Sequence, residues 1–329
     1  MIKRLIALVM STIVAMGLLA ATNQARATVP GPSPSGRIVY GRALWPSEDT
    51  LTYTINPDGT DENAIYSRTA GCVSWSPDGA KVLLGCVFRK NSPVRPATID
   101  PDGSHFKLLN NPDPTMGIFC TSWSPDGLRL VCEGNDEVHP ERSALFTVRA
   151  SDGGDLQLLT RNPYGVFFCC PVKNQDGSPH YSPDGTKVMF TRFNDRGQSA
   201  AFIVNVDGTG TRQITPWGIG AFGGTWSPDG QWIVFNMNDA SSLQGRLYLM
   251  HPDGSDRHVI DIDTGGSWYY AKEPAWSPDG TRIVFVMYAG SNGGQVDLFT
   301  VAPDGTHLTQ LTDSPEVEYV PDWGTHLAA

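Results

Sequence analysis

One repeated motif constrains this chain more than any other feature. The pentapeptide Trp-Ser-Pro-Asp-Gly recurs with its aromatic residue at Trp75, Trp123, Trp226 and Trp276, as tyrosine at Tyr181, and in a shortened form at Trp323. Successive copies are 48, 58, 45, 50 and 47 residues apart. Repeats with a period of about 20–50 residues are typical of solenoids and propellers, in which each repeat is one supersecondary unit.

A second marker divides each repeat. Asp-Gly pairs lie between the copies, with the aspartate at Asp58, Asp102, Asp152, Asp207, Asp253 and Asp304. Proline presets the backbone of a turn, aspartate caps it, and glycine takes the positive φ that closes a hairpin. Short apolar runs separate the turns, so each unit is predicted to hold four strands. The sequence therefore predicts an all-β fold, a six-bladed β-propeller of four-stranded antiparallel blades.

The two ends of the repeat region complete each other. Residues 36–68 contain the second, third and fourth strands of a unit, and residues 317–327 contain a first strand alone. Pairing of the two segments gives one whole blade and leaves no open sheet edge in the ring. We therefore expect residues 36–327 to form a single propeller domain, closed by its N- and C-terminal strands.

The first residues have the pattern of a cleavable signal peptide. Lys3 and Arg4 precede an apolar run over residues 5–21, and Ala25-Arg26-Ala27 follows it. The rival interpretation is a membrane anchor, for which the run is short. We expect a signal peptide over residues 1–27, a linker over 28–35, and no stable membrane insertion after cleavage. The protein would then be exported, either periplasmic or secreted.

The charge of the chain limits its partners. The formal net charge is −10, and residues 1–27 contain basic but no acidic groups, so their removal makes the charge more negative. Nucleic acids and anionic membranes select basic surfaces, so neither is expected as a partner. Basic proteins, neutral glycans and cations remain, and we expect a monomer.

The repeat resembles that of a known family. Trp-Ser-Pro-Asp-Gly, with a later Asp-Gly and a Leu-Thr ending, is similar to the WD40-like PD40 repeat of TolB-like propellers. TolB itself also carries an N-terminal α/β domain, which we do not expect here because few residues separate the predicted cleavage site from the first strand. The family includes propellers fused to serine peptidases and exported propellers that stand alone.

Loop length predicts the side of the disc that carries function. Both Asp-Gly turns are short, whereas the segments 134–144, 164–179, 236–246 and 264–274 on the other side are long and irregular. Long loops on a rigid scaffold commonly carry binding. Candidate contacts for a protein or peptide are Glu273 and the aromatic residues Tyr164, Phe167, Phe168, Trp217, Phe222, Trp268, Tyr269, Tyr270 and Tyr319. The alternative is that these rings pack under the loops or between blades.

Carboxylates near the same side suggest a cation. Glu273 lies three residues before a repeat aromatic, and Asp176, Glu316 and Glu318 are expected nearby. Oxygen ligands of this kind suit Ca²⁺, so Asp176, Glu273 and Glu318 are weak calcium candidates, and no other cofactor is expected. The alternative is a set of solvated surface carboxylates. The aspartates of the repeated pentapeptide are interpreted as turn caps rather than metal ligands.

The cysteines suggest disulfides in an exported protein. The chain contains Cys72, Cys86, Cys120, Cys132, Cys169 and Cys170. Cys120 and Cys132 fall opposite each other across a hairpin with a glycine bulge, whereas Cys72 and Cys86 are two residues out of that register. Cys169 and Cys170 either bond to each other or pair with other cysteines. Six cysteines allow 15 connectivities, so the pairing stays open.

Catalytic motifs are missing from the sequence. It contains neither Gly-x-Ser-x-Gly nor His-Glu-x-x-His, and its seven histidines are scattered. We therefore favour a non-catalytic binding module that engages a protein or peptide through the side of the disc that carries the long loops. The alternative is a propeller that binds or cleaves glycans in the manner of a lyase or lactonase.

Overall fold

A computed structural model of the chain describes residues 36–44, 49–68, 70–89, 92–136, 139–161, 163, 176–238, 245–265, 269–289 and 295–325. Within these ranges the fold is built from strands, with one short 3₁₀ helix at Pro140–Arg142. In chain order the strands are β1 (Arg37–Leu44), β2 (Asp49–Ile55), β3 (Asn63–Tyr66), β4 (Ala70–Trp75), β5 (Val82–Val87), β6 (Arg95–Ile99), β7 (Lys107–Leu108), β8 (Met116–Trp123), β9 (Arg129–Asp136), β10 (Ala144–Arg149), β11 (Gln157–Arg161), β12 (Gly177–Tyr181), β13 (Lys187–Phe193), β14 (Ser199–Asn205), β15 (Arg212–Gln213), β16 (Ala221–Trp226), β17 (Ile233–Asn238), β18 (Gly245–Met250), β19 (His258–Val259), β20 (Tyr269–Trp276), β21 (Ile283–Ala289), β22 (Val296–Val301), β23 (Thr309–Gln310) and β24 (Val317–Gly324).

The strands form antiparallel sheets of four. Four separate sheets hold β4–β7, β8–β11, β12–β15 and β16–β19, named here units 2, 3, 4 and 5. An eight-stranded sheet holds two further sets, β20–β23 (unit 6) and β24 with β1, β2 and β3 (unit 1). Within the described ranges, the backbone pairing between these two sets is a parallel bridge between Val296 and Val317. The chain is thus an all-β propeller of four-stranded antiparallel blades.

The repeated turn is held by its own residues. In unit 2 the Gly79 amide donates to the Ser76 carbonyl at 2.8 Å, and Gly79 has φ of 67°. The Ser76 hydroxyl donates to the Asp78 carboxylate at 2.6 Å, which also accepts the Ala80 amide at 3.0 Å. The same bonds recur at Asp126, Asp184, Asp229 and Asp279. The interpretation of these aspartates as turn caps is confirmed.

The core lies between neighbouring units rather than inside any one of them. Trp75 of unit 2 packs with Val39 of unit 1, and Trp276 of unit 6 packs with Leu247 of unit 5. Units 6 and 1, from opposite ends of the sequence, share a cluster that contains Trp323. A flat sheet buries both faces only against neighbours, so each unit depends on the next for its core.

The first and last strands pair directly. β1 is antiparallel to β24, with Ile38 opposite Trp323 and Arg42 opposite Glu318. The first strand of each unit contacts the first strand of the next, and β24 contacts both β20 and β4. The ends of the domain therefore lie in one sheet.

Candidate functional site

The first strands of the units surround the axis of the molecule. All of them begin on the side opposite the Asp-Gly turns, and this opposite side is called the loop side. Propellers have a central channel along this axis. The mouth ring is defined as the residue four positions before each repeat aromatic: Gly71, Phe119, Gly177, Phe222, Lys272 and Tyr319.

Two aromatic pairs lie in or beside the mouth ring. Phe222 is 40% exposed and meets Phe193 edge to face, with ring centroids 5.2 Å apart. Phe119 meets Phe88 in the same way, at 6.5 Å. In each pair the partner comes from the end of the second strand of the preceding unit. The sequence predicted Phe222 but missed Phe119, although the shared offset from the repeat aromatic could have identified it.

Tyr319 is held in place by two glycines. A Cβ atom on Gly41 would overlap the Tyr319 ring, and one on Gly71 would lie 3.9 Å from its Cε2 atom. Burial raises the pKa of Tyr319, and the phenol also bonds to Thr50. The residue as a whole is partly exposed, whereas its phenol group lies in a largely buried environment.

Other aromatic candidates serve packing. Trp217 is partly buried and its ring lies 5.5 Å from that of Phe202. Tyr269 is 5% exposed and belongs to the core between units 5 and 6, because β20 begins there and strand alternation turns its ring inward. The Tyr270 ring lies against Gly245, where an added Cβ would come within 2.8 Å.

Several predictions fall on residues that the structure does not describe. Trp268 and the aromatic residues Tyr164, Phe167 and Phe168 lie outside the described ranges, as do Cys169 and Cys170. The expected signal peptide, residues 1–27, lies outside them as well.

A backbone bulge marks the mouth in most units. The residue three before the repeat aromatic has positive φ at Cys72, Ser178, Gly223, Glu273 and Val320. For Ser178, Gly223 and Val320, a side chain of the preceding unit accepts the amide of that residue. The Glu133 carboxylate accepts from Ser178 at 2.6 Å, and the Glu273 carboxylate accepts from Val320 at 2.6 Å. The bulges are thereby tied to the adjacent unit.

Glu133 was not predicted as a functional residue. Burial raises its pKa to about 7, opposed by the amide of Ser178 and assisted by the charge of Asp176. Its position in the second strand aims it at the bulge of unit 4, so it lies beside the channel mouth. A glutamate with this pKa changes its charge near neutral pH.

Two buried ion pairs support the mouth from below. Arg192 donates to Asp176 through Nε and Nη2, at 2.7 and 2.6 Å, and the Asp176 side chain is fully buried. Arg42 donates through Nε to Glu318 at 2.8 Å and lies 4.5 Å from the Tyr53 ring centroid. Both pairs occupy the same repeat positions. Units 5 and 6 carry alanine and methionine there instead.

The calcium candidates are therefore committed elsewhere. Asp176 binds Arg192, Glu318 binds Arg42, and Glu273 binds the Val320 amide and lies 3.0 Å from the Lys272 ammonium group. No group of three or more His, Cys, Asp or Glu residues suited to a metal ion occurs in the described part of the chain.

A ring of mostly polar residues lies deeper between the first strands. These residues directly precede the repeat aromatics: Ser74, Ser122, His180, Thr225, Ala275 and Asp322. Asp322 accepts the Trp75 amide at 2.7 Å, and Ser122 accepts the Tyr181 amide at 3.3 Å. Burial lowers the pKa of His180 to about 4 and raises that of Asp322. His180 is therefore neutral at pH 7.

Four of the cysteines lie in adjacent units near the mouth. Cys120 and Cys132 are directly opposite across β8 and β9 and form a disulfide in the structure. The Sγ atoms of Cys72 and Cys86 are 2.9 Å apart and unbonded. In the pairing of β4 with β5, Cys86 lies opposite Gly71, so the two cysteines are one position out of register rather than the two expected.

The turn side carries grooves between units. One of about 500 Å³ lies between units 5 and 6 and is lined by Trp232, Trp276, Asp229 and Asp279. A second of about 440 Å³ occupies the same place between units 4 and 5. Their walls are the repeated turns, whose aspartates already accept turn hydrogen bonds. The loop side, by contrast, differs from unit to unit.

Comparison with known proteins agrees with this architecture. Residues 168–286 match the family model of the TolB beta propeller domain. An uncharacterized protein of Agrobacterium fabrum is 28% identical over 260 residues, which cover 65% of this chain and 83% of the relative. The Tol-Pal system protein TolB of Gluconobacter oxydans is 36% identical over 109 residues, covering 32% of this chain and 22% of that protein.

A solved structure extends the similarity in fold to nearly the whole chain. TolB from Acinetobacter baumannii superposes with a TM-score of 0.71 at 18% identity, covering 90% of this chain and 68% of that one. At this identity the match speaks for fold alone. Among the described residues, no helix has the length and hydropathy needed to span a bilayer.

Proposed function

We propose that this TolB-like β-propeller is a non-catalytic binding module that holds a protein or peptide at the mouth ring. One observation carries the proposal. Among the large apolar side chains that are exposed in the described part of the chain, Phe222 is the aromatic one. Aromatic rings held rigidly at a surface lose little entropy on binding and are enriched at the centres of interfaces.

The surroundings of Phe222 support the choice of site. Phe119 and Tyr319 share its repeat position. The residue after each of the three rings is held by a neighbouring strand: Gly223 by Thr191, Cys120 by Cys132 and Val320 by Glu273. Lys272 and Glu273 add charged groups to the same ring. Apolar rings with a few polar groups around them are typical of a protein-binding surface.

The relatives support the kind of partner. The relative from Gluconobacter oxydans is named a Tol-Pal system protein, so its name assigns that protein to a system. A protein or peptide is therefore proposed as the ligand here. A glycan stacked on the same aromatic residues is the alternative outcome of the test.

Site-specific photocrosslinking in the native host tests the proposal. A benzophenone amino acid at position 222 on the loop side is compared with one at Leu128, which is 65% exposed on the turn side. We expect protein adducts from position 222 and few from position 128. Equal adducts at both positions would contradict the choice of face, and a glycan-array hit without protein adducts would favour the alternative.

We also propose that the six units form a closed six-bladed ring. The eight-stranded sheet divides into two antiparallel sets joined by one parallel bridge, and β24 pairs with β1. The cluster between units 6 and 1 supports the same arrangement. On this interpretation the N- and C-terminal strands complete one blade.

Export to the periplasm or medium as a monomer is proposed on the sequence pattern. The pattern of residues 1–27 supports cleavage after Ala27. N-terminal sequencing of the protein from each cell fraction tests this, with a mature start near Thr28 expected outside the cytoplasm. Light scattering of the purified protein tests the monomer. An uncleaved N-terminus in the membrane fraction would favour the anchor.

A further inference from the structure

The closest pair of unbonded sulfurs in the described chain lies beside the mouth ring. Cys72 lies in β4 with a positive φ of 55°, and Cys86 lies in β5. Their Sγ atoms are 2.9 Å apart, and the Cys86 thiol donates a hydrogen bond to Cys72. Gly71 allows this approach, because an added Cβ there would lie 3.2 Å from the Cys86 sulfur.

The two cysteines differ in access. Cys72 is partly exposed, whereas Cys86 is 4% exposed. The bonded pair in unit 3, Cys120 and Cys132, is fully buried. A reagent in solvent therefore reaches Cys72 before any of the other three.

The hydrogen bond assigns different roles to the sulfurs. The bond to Cys72 and then burial raise the pKa of the Cys86 thiol, so Cys86 keeps its proton. Thiol–disulfide exchange begins with an accessible thiolate, and Cys72 is the accessible member of the pair. Cys72 is thus suited to attack, and Cys86 to resolve.

We propose that Cys72 and Cys86 form a reversible redox site that exchanges with small or protein disulfides, distinct from the buried bond in unit 3. The Cys72 thiolate attacks one sulfur of the oxidant and releases the other as a thiolate. Cys86 then loses its proton to that thiolate or to solvent, attacks the Cys72 sulfur and releases the second thiolate. Two protein thiols are oxidised to one disulfide, and one external disulfide is reduced to two thiols.

The oxidised form would join β4 to β5 next to the ring of Tyr319. A Cβ atom on Gly71 would lie 3.2 Å from the Cys86 sulfur and 3.9 Å from the Tyr319 ring, so the pair lies beside the candidate binding site. The redox state therefore bears on the mouth ring, although the proposal does not depend on any partner bound there.

Native-state alkylation tests the proposal. The protein carries C169S and C170S, so that only the four described cysteines remain, and is equilibrated with reduced and oxidised glutathione before alkylation and peptide mapping. We expect a Cys72–Cys86 crosslink that appears in oxidised buffer and is lost in reduced buffer. The Cys120–Cys132 bond should persist in both until the protein is denatured. Absence of the crosslink in oxidised buffer, or equal reduction of both bonds, would overturn the proposal.

Single variants test the order of attack. With C86S, glutathione should accumulate as a mixed disulfide on Cys72, because the resolving thiol is missing. With C72S, the buried Cys86 should acquire little glutathione in the same time. Equal adducts on both variants, with circular dichroism showing both to be folded, would contradict the assigned roles.

Discussion

At the scale of single residues, the mouth depends on side chains that serve the backbone of the next unit. Glu133 illustrates this, since its carboxylate accepts the Ser178 amide from the strand beside it. The same position in unit 4 holds Thr191, which accepts the Gly223 amide at 3.3 Å. A hydroxyl and a carboxylate thus do one structural task, but only the carboxylate titrates.

Glu133 should make the stability of the protein depend on pH. Its pKa is raised from 4.5 to about 7 in the folded state, so folding favours its protonated form. The contribution to stability is complete below pH 4.5 and is lost as pH rises to 7. We predict that the free energy of unfolding of the wild type falls relative to E133Q across this window and is level above it. Urea unfolding at several pH values measures this, and a pH-independent difference would contradict it.

Gly85 is a second residue of this kind, because its neighbours leave no room for a Cβ atom. A Cβ atom there would overlap the Cys120 carbonyl oxygen of the next unit and crowd that of Cys72, and both obstacles are backbone. We predict that Gly85→Ala lowers the free energy of unfolding by about 1–3 kcal/mol, as overpacking commonly does.

Gly117→Ala is the matched control for Gly85. The nearest atom to a Cβ at Gly117 is the end of the Phe119 side chain, at 3.2 Å, which can move. Thermal and urea unfolding compare the two variants, and a loss at Gly117 as large as at Gly85 would remove the steric explanation.

At the scale of elements, each buried ion pair joins the start of the first strand of a unit to the second strand of that unit. Asp176 directly precedes β12, and its carboxylate binds Arg192 of β13 and the Thr160 hydroxyl, at 2.6 Å, of β11. Glu318 and Arg42 repeat this in unit 1. At the same positions units 5 and 6 carry apolar side chains, with Ala221 opposite Met237 and Ala271 opposite Met287.

These natural alternatives define a double-mutant cycle. Asp176→Ala alone leaves a buried guanidinium without its counter-charge and should cost about 3–5 kcal/mol. Adding Arg192→Met recreates the pair of units 5 and 6 and should recover most of that loss. Urea unfolding of both singles and the double measures this. A double variant as unstable as the Asp176 single would contradict the interpretation.

At this scale, local features could be predicted from the sequence, whereas contacts between distant residues could not. Strands and turns follow from residues a few positions apart, and the bonds of Ser76 and Asp78 confirm that prediction. Arg42 and Glu318 are 276 residues apart, so their pairing depends on how the ends meet in space. Tyr269 was a candidate contact, with packing as the alternative, because residues 264–274 were interpreted as a loop. The structure begins β20 at that residue, and alternation places its ring in the core.

At the scale of the whole molecule, the pairing of β1 with β24 should control stability. Removal of residues 317–329 would expose the edge of β1 and remove Asp322, which accepts the Trp75 amide. We predict loss of cooperative unfolding, with aggregation through the exposed edge. Removal of residues 326–329 alone should change neither the cooperativity of unfolding nor the tendency to aggregate. A truncated protein that stays monomeric with an unchanged midpoint would contradict ring closure.

The central claim is that the mouth ring binds the partner, and one affinity measurement tests it most directly. The partner recovered by crosslinking at position 222 is titrated by calorimetry against the wild type, against F119S/F222S on the loop side and against L128S on the turn side. We predict that the loop-side variant raises Kd about tenfold or more, or about 1.4 kcal/mol, while L128S leaves it unchanged. An unchanged Kd for a folded F119S/F222S protein would contradict the claim.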